Sequence, residues 1–293
     1  MLRRWRGLGL AGLVALCGLT AVVLGGCGAA NVVDPVAQAA TVSNHAPGMK
    51  MNILLRMSVP ALPTPINATG SGAFDEATRS GTFNLSMDFG SIPQLRQLLG
   101  SSTLDIQEIT KGLTVYMKLP PALSHSAALH GKPWMKIDLA RAANGLGISG
   151  LSSLATNPTS SDPSQYLKYL RAASGHVTQL GTQTIDGVST TGYRAQIQLD
   201  KVVKTLPAAD RAGAQQGITS IEQMTHLRLL PVTVWIDGQH LVRRIEFSFN
   251  EAVSGQSLTA AMRIDIPQYG PQQPAQAPPA DQVTDLTSQL PGG

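Results

Sequence analysis

Met49-Lys50-Met51-Asn52-Ile53-Leu54-Leu55-Arg56-Met57-Ser58 decides the architecture. Apolar side chains recur at every second position, with Lys50, Asn52, Arg56 and Ser58 between them and Leu54 as the exception. A period of two puts each set on its own side of an extended chain, so the segment reads as a strand with one buried and one wet face. The pattern recurs along the chain. Phe83, Leu85, Met87 and Phe89 alternate with polar neighbours, as do Leu113, Val115, Met117 and Leu119. Tyr193, Ala195, Ile197 and Leu199 share one side, and so do Val232, Val234 and Ile236. Ile245, Phe247 and Phe249 come next, then Leu258, Ala260, Met262, Ile264 and Ile266. Lys111-Gly112, Asp186-Gly187 and Asp237-Gly238 fall between runs, and Asp-Gly in that place signals a hairpin because both residues tolerate positive φ. Hairpin-linked strands with one apolar face form an antiparallel sheet covered on one side.

Three helical stretches are available as cover. Ser91 to Leu99 carries Ile92, Leu95, Leu98 and Leu99 at helical spacing before Gly100. Asp162-Pro163 is an N-cap with proline in the first turn, and it opens a helix with Tyr166, Tyr169, Leu170 and Ala173 on one face. Asp200 to Leu206 and Ile218 to Leu229 form a third, proline-interrupted helical region. The Gly- and Ser-rich stretch 144–162 reads as a mobile loop.

At 293 residues, 43% hydrophobic and only 14% charged, the chain is apolar enough to bury a core and is unlike a disordered one. Met1 to Arg6 is basic, Gly7 to Leu24 is uncharged, and Leu24-Gly25-Gly26-Cys27 comes after, the layout of a secretory signal. Leu-Gly-Gly-Cys resembles the bacterial lipobox. That resemblance implies diacylglycerol on the Cys27 sulfur, cleavage before it, and anchoring at the extracytoplasmic face of the cell membrane. Removing Arg3, Arg4 and Arg6 from the 22 basic residues leaves 19 against 18 acidic ones, a formal +1, and no electrostatic case for nucleic acid. The other cysteine, Cys17, lies within the signal. With Cys27 alkylated, the exported chain has no thiol for catalysis, metal binding or a disulfide. Residues 27–48 read as a flexible tether reaching about 25 Å on average and roughly 65 Å when extended. Residues 49–270 read as one domain, and 271–293 as a Pro/Gln-rich tail, partly disordered.

Catalytic chemistry is sparse. The six histidines (His45, His125, His130, His176, His226 and His240) include no pair four apart on a helix, and no Gly-x-Ser-x-Gly elbow occurs. Gly145-Leu146-Gly147-Ile148-Ser149-Gly150 lacks the strand and helix that a dinucleotide loop needs. Neither an enzyme nor a bound cofactor or metal is expected. What stands out is methionine: Met51, Met57, Met87, Met117 and Met262 all fall on inward strand positions. Flexible, polarizable thioethers suit a surface that accepts varied apolar partners, although they also fill ordinary cores. The alternation makes Met51, Ile53, Leu55, Met57, Phe83, Leu85, Met87, Val115, Met117, Ile197, Leu199, Val234, Ile236, Phe247, Met262 and Ile264 the candidate lining of an apolar cavity.

Pro231-Val232-Thr233-Val234-Trp235-Ile236-Asp237-Gly238 with Leu241-Val242-Arg243-Arg244-Ile245 resembles a hairpin of the actinobacterial LppX/LprG-type lipoproteins. So do Ile264 to Gly270, Pro278 to Val283, Trp134 to Asp138 and Asp186 to Tyr193. The resemblance implies a LolA/LolB-like fold, α+β but mainly β: a curved antiparallel half-barrel with helices covering its concave face. It further implies a membrane-anchored envelope lipoprotein that holds a lipid or glycolipid acyl chain, carries it across the envelope and works with a membrane exporter. The loop 144–162 and the helix after it would be the gate. The alternative is a structural or regulatory envelope lipoprotein with a filled core, acting through protein contacts.

Overall fold

The computed structural model describes residues 34–58, 62, 64–90, 92–121, 129–139, 141, 167, 170, 177–205, 211, 215, 218–219, 222, 228–253 and 256–287. Cys27 with the expected signal segment, the stretch 144–162 and the chain end from 288 lie outside them.

Six strands succeed one another as a meander: β1 (Gly48–Ser58), β2 (Ile66–Asp75), β3 (Ser80–Asp88), β4 (Thr103–Lys111), β5 (Thr114–Lys118) and β6 (Trp134–Asp138). Five more make a second meander: β7 (Thr178–Ile185), β8 (Val188–Gln198), β9 (Leu229–Asp237), β10 (Val242–Val253) and β11 (Gln256–Tyr269). β11 pairs antiparallel with β1 and joins the two meanders, and β12 (Val283–Asp285), beside β6 in the one parallel pairing among the described residues, completes a twelve-stranded sheet. Among the described residues, the α-helices with defined bounds are α1 (Pro35–Asn44), α2 (Pro93–Leu99) and α3 (Leu199–Thr205). The architecture is thus mainly β, as expected. Register shifts at Lys50/Asn52, at Gln179/Gly181 and at Val242/Arg244 mark bulges, which bend strands and let a sheet of this width curl.

Register shows why alternation was informative. Leu104, Met87, Ala68, Leu55, Met262, Phe247, Val232 and Ala195 lie opposite one another in a single row across β4, β3, β2, β1, β11, β10, β9 and β8. Ile106, Leu85, Gly70, Ile53, Ile264, Ile245, Val234 and Tyr193 form the next row. One face is therefore apolar from the first meander into the second. The main core sits on it, every described member lies at or beyond Val36, and residues 33–293 form one compact unit.

The tether expectation is corrected over much of its length. Residues 35–44 form α1, capped by the Asp34 carboxylate, which accepts from Val36 N at 2.8 Å and Ala37 N at 3.3 Å. Val36, Ala39 and Ala40 are fully buried in the main core, where α1 packs on β9 and β10. The main-chain N–H of Val242 donates to Ser43 Oγ at 2.8 Å and pins the helix end to β10. Sequence periodicity hides this helix because its buried side is made mostly of small residues.

The tail expectation is corrected too. Residues 271–287 run as an ordered strap along the ends of the first meander. Gln272 N donates to Asp75 Oδ2 at 3.1 Å and Ala275 N to Ser80 Oγ at 3.0 Å. Ala275 and Val283 cover Ile109, Tyr116 and Trp134 in a second apolar cluster. β12 is clamped by Lys136 Nζ to Asp285 at 2.8 Å. Proline withholds its own N–H but leaves the neighbouring amides free to bond side chains of distant strands.

Smaller departures have local causes. Asp186 and Gly187 have φ of 49° and 81°, the two-residue turn expected. Asp237-Gly238 is not such a turn: the positive φ falls at His240 (59°), in a longer loop gathered by Asp237. Asp237 Oδ1 accepts from Gln239 N and Leu241 N, at 2.8 and 2.9 Å, while Oδ2 takes Arg243 Nε at 2.6 Å. Leu229 begins β9 rather than ending a helix, and Leu113 lies in the β4–β5 turn.

Candidate functional site

The apolar face has two regimes. Over β8–β11 and the start of β1 it is filled: Met51, Ile197, Val234, Ile236, Phe247 and Ile264 are buried together with α1 and with the helical residues Leu167 and Leu170. Phe83 joins them from β3, its ring lying across Gly70 and Gly72, where an added methyl would come within 2.6 and 2.7 Å of it. Farther along the same strands the cover thins. Ile53, Leu55, Met57, Leu85, Met87, Met117 and Met262 remain only half-buried, as do Leu104 and Ile106, which alternation in the sequence does not single out.

Fifteen of the sixteen candidate lining residues therefore share this face by register or strand parity. Val115 is buried on it, opposite Thr110 and Ile137. The exception is Leu199, which leaves β8 and opens α3, and so does not belong to the strand face. The gating loop lies outside the described residues.

β4 adds a polar element that the sequence pattern did not reveal. Register places Glu108 between Phe83 and Met117, and Thr110 between Gly81 and Val115. Both are buried, and the Thr110 hydroxyl donates to Glu108 Oε1 at 3.2 Å. A carboxylate among apolar neighbours gives this end of the face one fixed polar point in otherwise non-directional surroundings. The signal available in the sequence was Ile106, Glu108 and Thr110 at period two, unremarkable by composition.

The opposite face is polar apart from the strap-covered cluster at Ile109, Tyr116 and Trp134, and it carries two grooves. One, of about 850 Å³, is lined by Thr69, Ser71, Asn84, Ser86, Asp105, Gln107 and Lys118 beneath the end of α2. The other, of about 620 Å³, lies across β1 and β8–β11. At the strand ends, Tyr269 donates its hydroxyl to the Val242 carbonyl at 2.6 Å, and burial pushes its ionisation well above the ordinary tyrosine range.

No protein-family model and no curated protein matches the chain. Solved structures are similar at a low level. The lipoprotein LppX of Mycobacterium tuberculosis is 14% identical with a TM-score of 0.42, over 83% of this chain and 100% of that one. LprF from Mycobacterium bovis is 12% identical with a TM-score of 0.41, over 83% and 94%. A DUF1329 family protein from Desulfovibrio piger reaches a TM-score of 0.24 at 10% identity, over 81% and 90%.

Proposed function

We propose that this protein is an envelope lipoprotein, anchored through Cys27, that holds an acyl chain of a lipid or glycolipid on the half-buried part of its apolar face and passes it across the envelope. The observation that carries the reading is the run Leu104, Met87, Leu55 and Met262: large flexible side chains in one register row, continuous with a filled core yet only half-covered. A sixteen-carbon chain buried there gains roughly 12 kcal/mol gross at about 0.8 kcal/mol per CH₂. Association costs about 4–15 kcal/mol. Net binding is thus moderate and reversible, which suits a carrier that must also release. No catalytic step is required.

Docking of α1 changes the geometry of anchoring. Only six residues separate Cys27 from Asp34, so the start of the folded unit stays within about 25 Å of the acylated residue. The domain works against the bilayer rather than ranging widely from it, which favours direct exchange with the membrane or with an exporter in it.

The test is native mass spectrometry of residues 33–293, secreted behind a cleavable leader so that the domain meets membrane lipid. Adducts of lipid mass are expected, and Leu85→Trp and Met262→Trp, which fill the half-covered rows, should remove them while thermal unfolding stays cooperative. A wild-type domain without adducts, or variants that keep them, would sink the carrier reading and leave a structural or regulatory lipoprotein.

A further inference from the structure

We propose that the polar face carries a second site: the 620 Å³ groove at Arg56, Arg194 and Arg263, which takes a phosphate-bearing ligand. Strand register builds it. Arg263 of β11 stands opposite Glu246 of β10, Glu246 opposite Thr233 of β9, and Thr233 opposite Arg194 of β8. Arg56 lies on the other flank, diagonal to Arg263, because its direct partner on β11 is Ala261. At about 4.8 Å between strands, Arg194 lies some 14 Å from Arg263. The groove is therefore walled by guanidinium groups at both ends, with the Thr233 and Ser248 hydroxyls between.

The local charge does not balance. Asp265 serves two guanidinium groups, giving one oxygen to Arg244 and the other to Arg263 at 3.2 Å. Glu246 accepts from Trp235 Nε1 at 3.2 Å. Arg56 and Arg194 are exposed and have no carboxylate partner among the described residues. Among the described residues, four arginines thus face three carboxylates, Asp265, Glu246 and, near Arg244, Asp186, a surplus of one that falls on the unpaired groove arginines in an exported chain whose whole formal charge is +1. Guanidinium forks match phosphate oxygens in pairs, and a groove this long leaves one end empty when a single small anion binds. A ligand with two phosphates, or a phosphate joined to a hydroxyl-rich headgroup, spans it. This site lies on the opposite side of the sheet from the acyl-chain face and stands independently of the lipid-carrier reading.

Residues 33–293 are the material for the test, which has two arms: inorganic pyrophosphate by titration calorimetry, and flotation with phosphatidylcholine vesicles with and without phosphatidylglycerol. Binding in the first arm assigns a soluble phosphate compound; binding only to the phosphatidylglycerol vesicles assigns a lipid headgroup. In either case R56Q/R194Q should weaken the interaction about tenfold or more, since each lost charged contact is worth about a decade. Lys111→Gln, on an exposed strand end elsewhere, should not. Failure of wild type to bind either probe, or equal binding by the double variant, overturns the proposal.

Discussion

Replacing Val36 by alanine separates a docked helix from a loose tether. The side chain is fully buried against β9 and β10, so the change removes two methyl groups from a closed site. Transfer alone is worth about 1.6 kcal/mol at about 0.8 kcal/mol per carbon. A residual cavity adds roughly 1 kcal/mol where surroundings relax only in part. The expected loss is therefore about 2.5 kcal/mol. With a urea slope of about 2–3 kcal/mol per molar, the midpoint of unfolding should fall by about 1 M. Val42→Ala is the internal control, because that side chain is 38% exposed on the same helix. Its midpoint should stay close to wild type. Urea titration of residues 33–293, monitored by tryptophan fluorescence and by circular dichroism, reads both. Equal midpoints for wild type and Val36→Ala would refute the docking of α1 and restore a long tether.

Acid should release the strap before the sheet. The Thr78 hydroxyl and main-chain N–H, with Gln272 N–H, hold the Asp75 carboxyl below its usual range. At Asp285 burial acts upward, but the Lys136 ammonium and the Thr287 hydroxyl and N–H prevail and hold it at about 2. Groups with depressed folded values contribute fully above about pH 4 and lose that contribution as pH falls through the folded value. In a Trp235→Phe background, Trp134 emission should shift to the red between about pH 4 and 2; a flat profile across that window would exclude carboxylate clamping. Gly192→Ala places a methyl 2.7 Å from the Trp235 ring, which must swing away from Glu246. A loss of about 1–3 kcal/mol is expected by thermal unfolding, and an unchanged melting temperature would show that the ring has room to move.

Legibility tracked the range of the interactions involved. Met49, Met51, Ile53, Leu55 and Met57 announced one face of β1, because a strand's sidedness is set by pleat geometry within a few residues. The face to which fifteen candidate residues belong was readable for that reason. β2 was not: Gly70 and Gly72 interrupt its alternation, and their smallness makes sense only once Phe83 of β3 lies over them. Likewise Arg56, Arg194 and Arg263 look scattered until four pairings place them round one groove.

The amino-acid sequence by itself determined that this is a mainly β protein whose strands carry one continuous greasy side, because periodicity is local. Tertiary structure alone decided that α1 docks, that the proline-rich end becomes a strap, and which parts of the greasy side are filled. Ala39 and Ala40 become core residues only where β9 and β10 approach closely, and the amides of Gln272 and Ala275 find partners only on β2 and β3. Such long-range closures depend on register between segments nearly two hundred residues apart, and no short window of sequence contains both partners.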